Sequence, residues 1–355
     1  MQPPQQNHPE LDVPVPAARS NRPIAVWLLL VAALVFLMVV VGGVTRLTRS
    51  GLSIVEWNPI MGAIPPLTEA QWEAEFEKYR QTPEYREVNA GMSLDAFKEI
   101  YWVEWFHRLL GRLIGIAFFV PLVYFALRRR LPASLVPRLV GIFVLGGLQG
   151  ALGWYMVQSG LIDVPRVSPY RLTAHLGVAV LIYGLLLWLA LDLMRLTPAD
   201  TRHRGIRRLG GFVTALVFLM ILAGGFVAGT KAGFVFNTFP LMQGSFAPPG
   251  LYALEPWWIN HFENVATVQF THRMLAYALL AAVGFYWWWG MQQALARRAR
   301  LLLHGLLAAT VIQVALGIAT LLLIVPVWLG ALHQAGALVV FTFALALNHA
   351  LKPRL

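Results

Sequence analysis

The chain has 355 residues, of which 58% are hydrophobic and only 13% charged, with a formal net charge of +11 and no cysteine. Apolar runs of about 20 residues at this composition exclude an ordinary soluble domain and indicate a polytopic membrane protein. The absence of cysteine excludes disulfides, thiolate metal ligands and cysteine nucleophiles.

The N-terminal stretch MQPPQQNHPELDVPVPAA is polar and proline-rich, so residues 1–23 are predicted to be a disordered cytoplasmic segment. It lacks the basic start and cleavage site of a signal peptide, so the first apolar run is expected to remain as a helix. Eight spans are predicted in all, at 24–44, 104–127, 139–158, 172–194, 209–229, 266–290, 301–323 and 327–350. Each can cross a hydrocarbon core of about 30 Å at about 1.5 Å per residue.

The long first outer loop, 45–103, carries its own helix signals. Thr68 to Gln71 reads as a capping box before the amphipathic stretch AQWEAEFEKYR. Thr82-Pro83 starts a second helix, predicted to end at Gly91, and Ser93 caps a third that runs into the second span. This loop is read as a helical cap. The outer segment 230–265 is rich in Pro, Gly and aromatic residues, which suit a membrane interface as well as they suit substrate contact.

Lysine and arginine set the expected orientation. With the N-terminus inside, sixteen of the 28 basic residues fall in inner segments and nine in outer ones. The positive-inside rule then puts both termini in the cytoplasm, and the basic excess becomes a topology signal rather than a nucleic-acid footprint. Three cations remain within spans: Arg108, Arg112 and Arg273.

The chain repeats itself. GGVTRLTRSG (42–51) matches GGFVAGTKAG (224–233), VEWFHR (103–108) matches VQFTHR (268–273), and LQGALG (148–153) matches IQVALG (312–317). TAHLG (173–177) corresponds to ALHQAG (331–336). The expected fold is an all-α integral membrane protein of eight transmembrane helices, arranged as two duplicated four-helix bundles with pseudo-two-fold symmetry. The N-terminal bundle spans 24–194, a cytoplasmic linker 195–208, the C-terminal bundle 209–350 and a cytoplasmic tail 351–355.

Of nine histidines, His107, His175, His272 and His333 fall one in each even-numbered span, each near its outer end. One buried membrane histidine is usually a satisfied polar group. Four at matched depth in a duplication point to metal ligation, and without cysteine two bis-histidine haems, one per bundle, fit better than zinc. Small residues four positions on (Gly111, Ala179, Ala276, Ala337) leave clearance for a flat macrocycle. Arg108, Arg273 and Lys231 are candidate contacts for haem propionates, alongside Arg46 and Arg49.

Taken together, EWFHRLLGR, GGVTRLTRSGLSIVEWNPI, AHLG, GGFVAGTKAGFVFNTFPLM, QFTHRMLAY and LHQAGA resemble the haem A synthase family, over nearly the whole chain from Ile24 to His349. Lacking cysteine, the chain is similar to the branch found in Gram-negative bacteria and mitochondria. The resemblance implies an enzyme of the bacterial inner membrane that oxidises a methyl group of haem O to the formyl group of haem A, for terminal oxidases. It implies haem b on His272 and His333, and the substrate or product haem on His107 and His175, toward the periplasmic side. It also implies haem O synthase and an electron donor or acceptor as partners, and leaves a homo-oligomer open.

Glu104 stands three residues before His107, where the second copy has Gln269. As a carboxylate it can stabilise positive charge on a substrate, and partial burial would let it exchange a proton; Gln269 cannot change charge. Glu104 is therefore the candidate catalytic residue, with an i,i+4 ion pair to Arg108 as the plainer reading. The alternative function for the same histidines is a membrane di-haem cytochrome b exchanging electrons with quinol; a transporter is a third.

Overall fold

The computed structural model describes residues 21–58, 61–162, 167–194 and 204–352. Most of the segment predicted to be disordered, the linker residues 195–203 and the tail residues 353–355 lie outside the described residues. The described residues form helices joined by loops, with no strand among them. Eight helices are long and apolar enough to cross a membrane: α1 (Arg22–Leu47), α4 (Leu94–Leu127), α5 (Val136–Ile162), α6 (Pro169–Leu193), α7 (Arg204–Thr230), α9 (Val265–Met291), α10 (Arg297–Leu322) and α11 (Val327–Ala350). Three short ones lie between them: α2 (Glu69–Arg80), α3 (Pro83–Glu87) and α8 (Asn260–Glu263).

The helix starts follow their signals. Prolines sit in the first turns of α1, α3 and α6. Ser93 accepts from Ala96 N and opens α4, so that a helix in the cap and a span form one continuous rod. The linker residues 204–208 belong to α7, and Arg297 to Arg300 belong to α10. Arginine is a good helix former, and nothing in these basic stretches breaks the helix before the apolar run begins.

Helices α1, α6, α7 and α11 form the centre, with α4 and α5 packed on one side and α9 and α10 on the other. Helix α6 is buried from Thr173 to Leu191 on most of its circumference, as expected for a helix apolar all round. Contacts among the first four long helices have counterparts among the last four: α1 with α4 and α7 with α9, α5 with α6 and α10 with α11, α1 with α6 and α7 with α11. Between the two sets, α6 meets α7 and α11 meets α1. Leu113, Ile116, Phe119 and Val120 on α4 face outward, where a lipid environment accepts them.

Polar bonds stitch this seam. Tyr183 Oη and Thr342 Oγ1 lie 2.6 Å apart, Gln334 Nε2 donates to Val39 O at 2.6 Å, and Arg46 Nη2 donates to Ala228 O at 2.7 Å. Tyr170 Oη donates to Glu263 at 2.8 Å. At the opposite end, Asp192 receives His349 Nε2 at 2.9 Å and Lys352 Nζ at 3.0 Å.

The first long loop is a small domain with its own core of Ile54, Trp72, Phe76, Tyr79, Phe97 and Tyr101. The Thr68–Gln71 capping box forms as expected. Helix α3 starts at Pro83 but stops at Glu87, before Gly91, because Asn89 turns aside and its Nδ2 donates to Tyr79 Oη at 2.6 Å. Lys78 bridges Glu56 at 3.0 Å and Glu75 at 2.8 Å, and its hydrogen bond holds the Glu56 carboxyl below the usual range. The second long loop is stapled by Asn260, which has no exposed surface and bonds Leu254 and Trp257, and by Asn264, which caps α9.

Phe97 is fully buried where the cap meets α4. Phe97→Ala is expected to destabilise the cap by about 3–5 kcal/mol. The measurement is limited proteolysis: cleavage between α2 and α4 should accelerate while the eight long helices stay protected.

Candidate functional site

Each of the four histidines meets a glycine of the preceding long helix. A Cβ built on Gly42 of α1 would lie 3.1 Å from Cε1 of His107 on α4. The corresponding distances are 3.0 Å from Gly153 on α5 to His175 on α6, 3.4 Å from Gly224 on α7 to His272 on α9, and 2.9 Å from Gly317 on α10 to His333 on α11. Below 3.0 Å something must move, and 3.4 Å is ordinary contact. The imidazole edges therefore rest on bare backbone, in the close helix approach that small residues allow. The rings are half-buried, so part of each remains open for another group.

Side-chain amides fix two of the histidines from the same helices. Gln149 Nε2 donates to His175 O at 2.9 Å, and Gln313 Nε2 donates to His333 O at 2.8 Å. Gln313 Nε2 also lies 3.1 Å from His333 Nδ1, and Thr45 Oγ1 lies 3.4 Å from His107 Nδ1. The Nδ1 atoms of His175 and His272 are buried without a partner. His107 lies within electrostatic reach of His175, and His333 within reach of His272.

A buried polar atom without a partner asks for an explanation. Among the described residues no group of three or more His, Asp or Glu could hold a metal ion. What the fold offers is two pairs of imidazoles, with no carboxylate in the donor set. A planar macrocycle that brings the remaining four ligands itself fits that offer, and zinc does not.

Above each site the opening residues of the His motif grip a loop. Glu104 is 3% exposed, and five donors converge on its carboxylate. Oε2 accepts from Ser53 N at 2.7 Å, Ser53 Oγ at 2.7 Å and Ile54 N at 2.9 Å; Oε1 accepts from Arg108 Nε at 3.0 Å and Nη2 at 2.7 Å. Arg108 also donates to Ile54 O at 2.7 Å and Glu56 O at 3.0 Å. In the other half Gln269 Nε2 donates to Phe236 O at 3.3 Å, and Arg273 donates to Phe236 O at 2.8 Å and Pro240 O at 3.4 Å. Arg112 donates to Asn58 O at 2.9 Å. All three cations within the spans thus hold loop carbonyls, and the carboxylate-to-amide change decides whether the loop offers N–H groups or a carbonyl.

Against this geometry the comparisons are specific. Residues 25–345 match a family model described as cytochrome oxidase assembly protein. The chain belongs to that family. It is 55% identical over 335 residues to a protein named heme A synthase from Nitrosospira multiformis, covering 94% of each chain. It is 56% identical over 326 residues to the heme A synthase of Parvibaculum lavamentivorans, covering 92% of this chain and 93% of that one. A third relative so named, from Nitrosomonas eutropha, is 52% identical over 344 residues.

The paired motifs of the sequence carry the glycines that meet the histidines. Gly42 and Gly224 belong to the paired GG segments, and Gln149–Gly153 and Gln313–Gly317 belong to LQGALG and IQVALG. Sequence reasoning missed these six residues and Ser53. A glutamine and a glycine four apart within an apolar helix share one face, and that spacing was the available signal. A Cβ built on Gly111 would meet Met38 Cε at 3.5 Å, and Ala179 packs in the main core.

Gly317→Ala should displace His333, whereas Gly224→Ala should be tolerated, because its methyl meets His272 at ordinary contact distance. Purified Gly317→Ala is expected to show a clearly lower ratio of haem absorbance to protein. Gly224→Ala should match the parent protein.

Proposed function

We infer that this chain is a haem A synthase: an oxidoreductase that converts the methyl group of haem O to the formyl group of haem A. The observation that carries this reading is the two imidazole pairs, each ring seated on a glycine of the neighbouring helix, in a chain whose full-length relatives are named heme A synthase. His272 and His333 would hold a resident haem b, and His107 and His175 the substrate or product haem. When bound, haem b supplies one-electron redox chemistry beside the substrate.

The residues of the chain supply placement and field. The glycine slots and the Gln149 and Gln313 bonds restrict where each imidazole can point. Glu104 is held one turn from His107 by five donors, two of them from Arg108, which fix where its carboxylate sits. A preorganised carboxylate lowers the energy of positive charge developing on the substrate ring without reorganising during reaction. Gln269, in the resident-haem half, lacks that charge. The distribution of Lys and Arg supports cytoplasmic termini and haem sites toward the periplasmic side of the bacterial inner membrane.

Co-expression with a source of haem O, followed by extraction and chromatography of the haems, tests the function. Haem A or its hydroxylated precursor is the expected product; haem b alone would favour the electron-carrier reading. Glu104→Gln should retain haem O while its conversion drops by about a hundredfold. His272→Ala and His333→Ala should each lose the low-spin spectrum of the resident haem. Survival of that spectrum in both variants would overturn the ligand assignment.

A further inference from the structure

Three cations meet at the cap side of the seam between the two halves. Arg46 lies in the last turn of α1 and bonds Ala228 O on α7, the residue at the matching position of the paired segment. Arg49 and Lys231 occupy one and the same position of that segment. Both are left-handed, with φ of 56° and 58°. After a helix end that conformation belongs ordinarily to glycine, so both halves accept strain to place a basic side chain there. Thr45, next to Arg46, is the residue whose hydroxyl lies 3.4 Å from His107 Nδ1. The cluster thus adjoins the N-terminal histidine site.

Facing these cations is Glu84. It lies on the cap helix α3, whose first turn Thr82 caps, and it is only 5% exposed. Lys231, Arg49 and Arg46 are its cationic neighbours among the described residues, Glu104 of α4 is an acidic one, and Tyr79 of α2 also lies within its reach. Helix α5 also packs against α3.

We propose that this cluster binds the carboxylates of the haem in the N-terminal half, and that Glu84 is its protonatable counter-charge. Without haem, the ionised fraction of Glu84 offsets part of the cationic charge. When haem carboxylates arrive, the Glu84 carboxylate takes one proton from solvent and becomes neutral, so haem loading and proton uptake are coupled. Burial favours this exchange: it pushes Glu84 up to about 7, outweighing the three cations that pull it down. Burial holds the neighbouring Tyr79 at about 12, well away from neutrality. The proposal rests on the assignment of His107 and His175 to the substrate haem.

The test is a spectroscopic titration of the purified protein, carrying its resident haem, with iron protoporphyrin IX and with its dimethyl ester, which has no carboxylates. The affinity for the free acid should fall by about sixfold from pH 6.5 to 8.5, the effect of raising the Glu84 pKa of about 7 by one unit on binding. The ester should show no such slope, and Glu84→Gln should bind the free acid with a flat profile. An equal slope for acid and ester in the parent protein, or an unchanged slope in Glu84→Gln, would overturn the coupling. The acid–ester comparison decides the matter even if the variant fails to fold. Failure of either haem to bind at any pH would instead overturn the histidine assignment, and this proposal with it.

Discussion

The edge contact between each histidine and a glycine of the preceding helix is the constraint on which the rest of this structure depends. An imidazole in an apolar bundle must be held without a layer of water around it. Bare backbone at Gly42, Gly153, Gly224 and Gly317 lets the helices come close enough to fix the ring edge. A methyl group at Gly317 would already force His333 aside. The same contact dictates which helices must be neighbours: α1 with α4, α5 with α6, α7 with α9 and α10 with α11, and these pairs do pack together.

The loops follow from the same requirement. Two of the four histidine helices, α4 and α9, also carry an arginine directly after the histidine, and a charge there needs partners. Arg108 and Arg273 find them in the carbonyls of Ile54 and Glu56, and of Phe236 and Pro240. The roof of each site is therefore pinned by a helix that carries one of its histidines. Glu104 adds two backbone N–H groups and the Ser53 hydroxyl to that grip, which makes the N-terminal roof the more heavily bonded of the two. The likeness of the halves gives two histidine pairs; the difference between Glu104 and Gln269 gives them different electrostatic surroundings.

Between the halves the seam is more than apolar packing. Buried polar groups that pair across it, Tyr183 with Thr342 and Gln334 with Val39, fix the rotation of α6 and α11 against their neighbours. At the cap side the seam ends in Arg46, Arg49, Lys231 and Glu84, where charges from α1, α7 and the cap meet. Charge at that point senses both the cap and the N-terminal site.

Much of this was legible in the sequence. Eight apolar runs fix eight spanning helices, because lipid leaves the backbone no other way to satisfy its hydrogen bonds. Capping residues Thr68, Thr82 and Ser93 announce the cap helices, and spacing singles out four histidines. Local propensity and period decide such features, and both are written along the chain. The partners were not. That Gly317 serves His333, that Ser53 donates to Glu104 from 51 residues away, or that Glu84 reaches cations of both halves depends on which helices adjoin and how each is rotated. Only the packed bundle sets those contacts, because they join residues distant in sequence whose approach is decided by side-chain volumes on every helix at once.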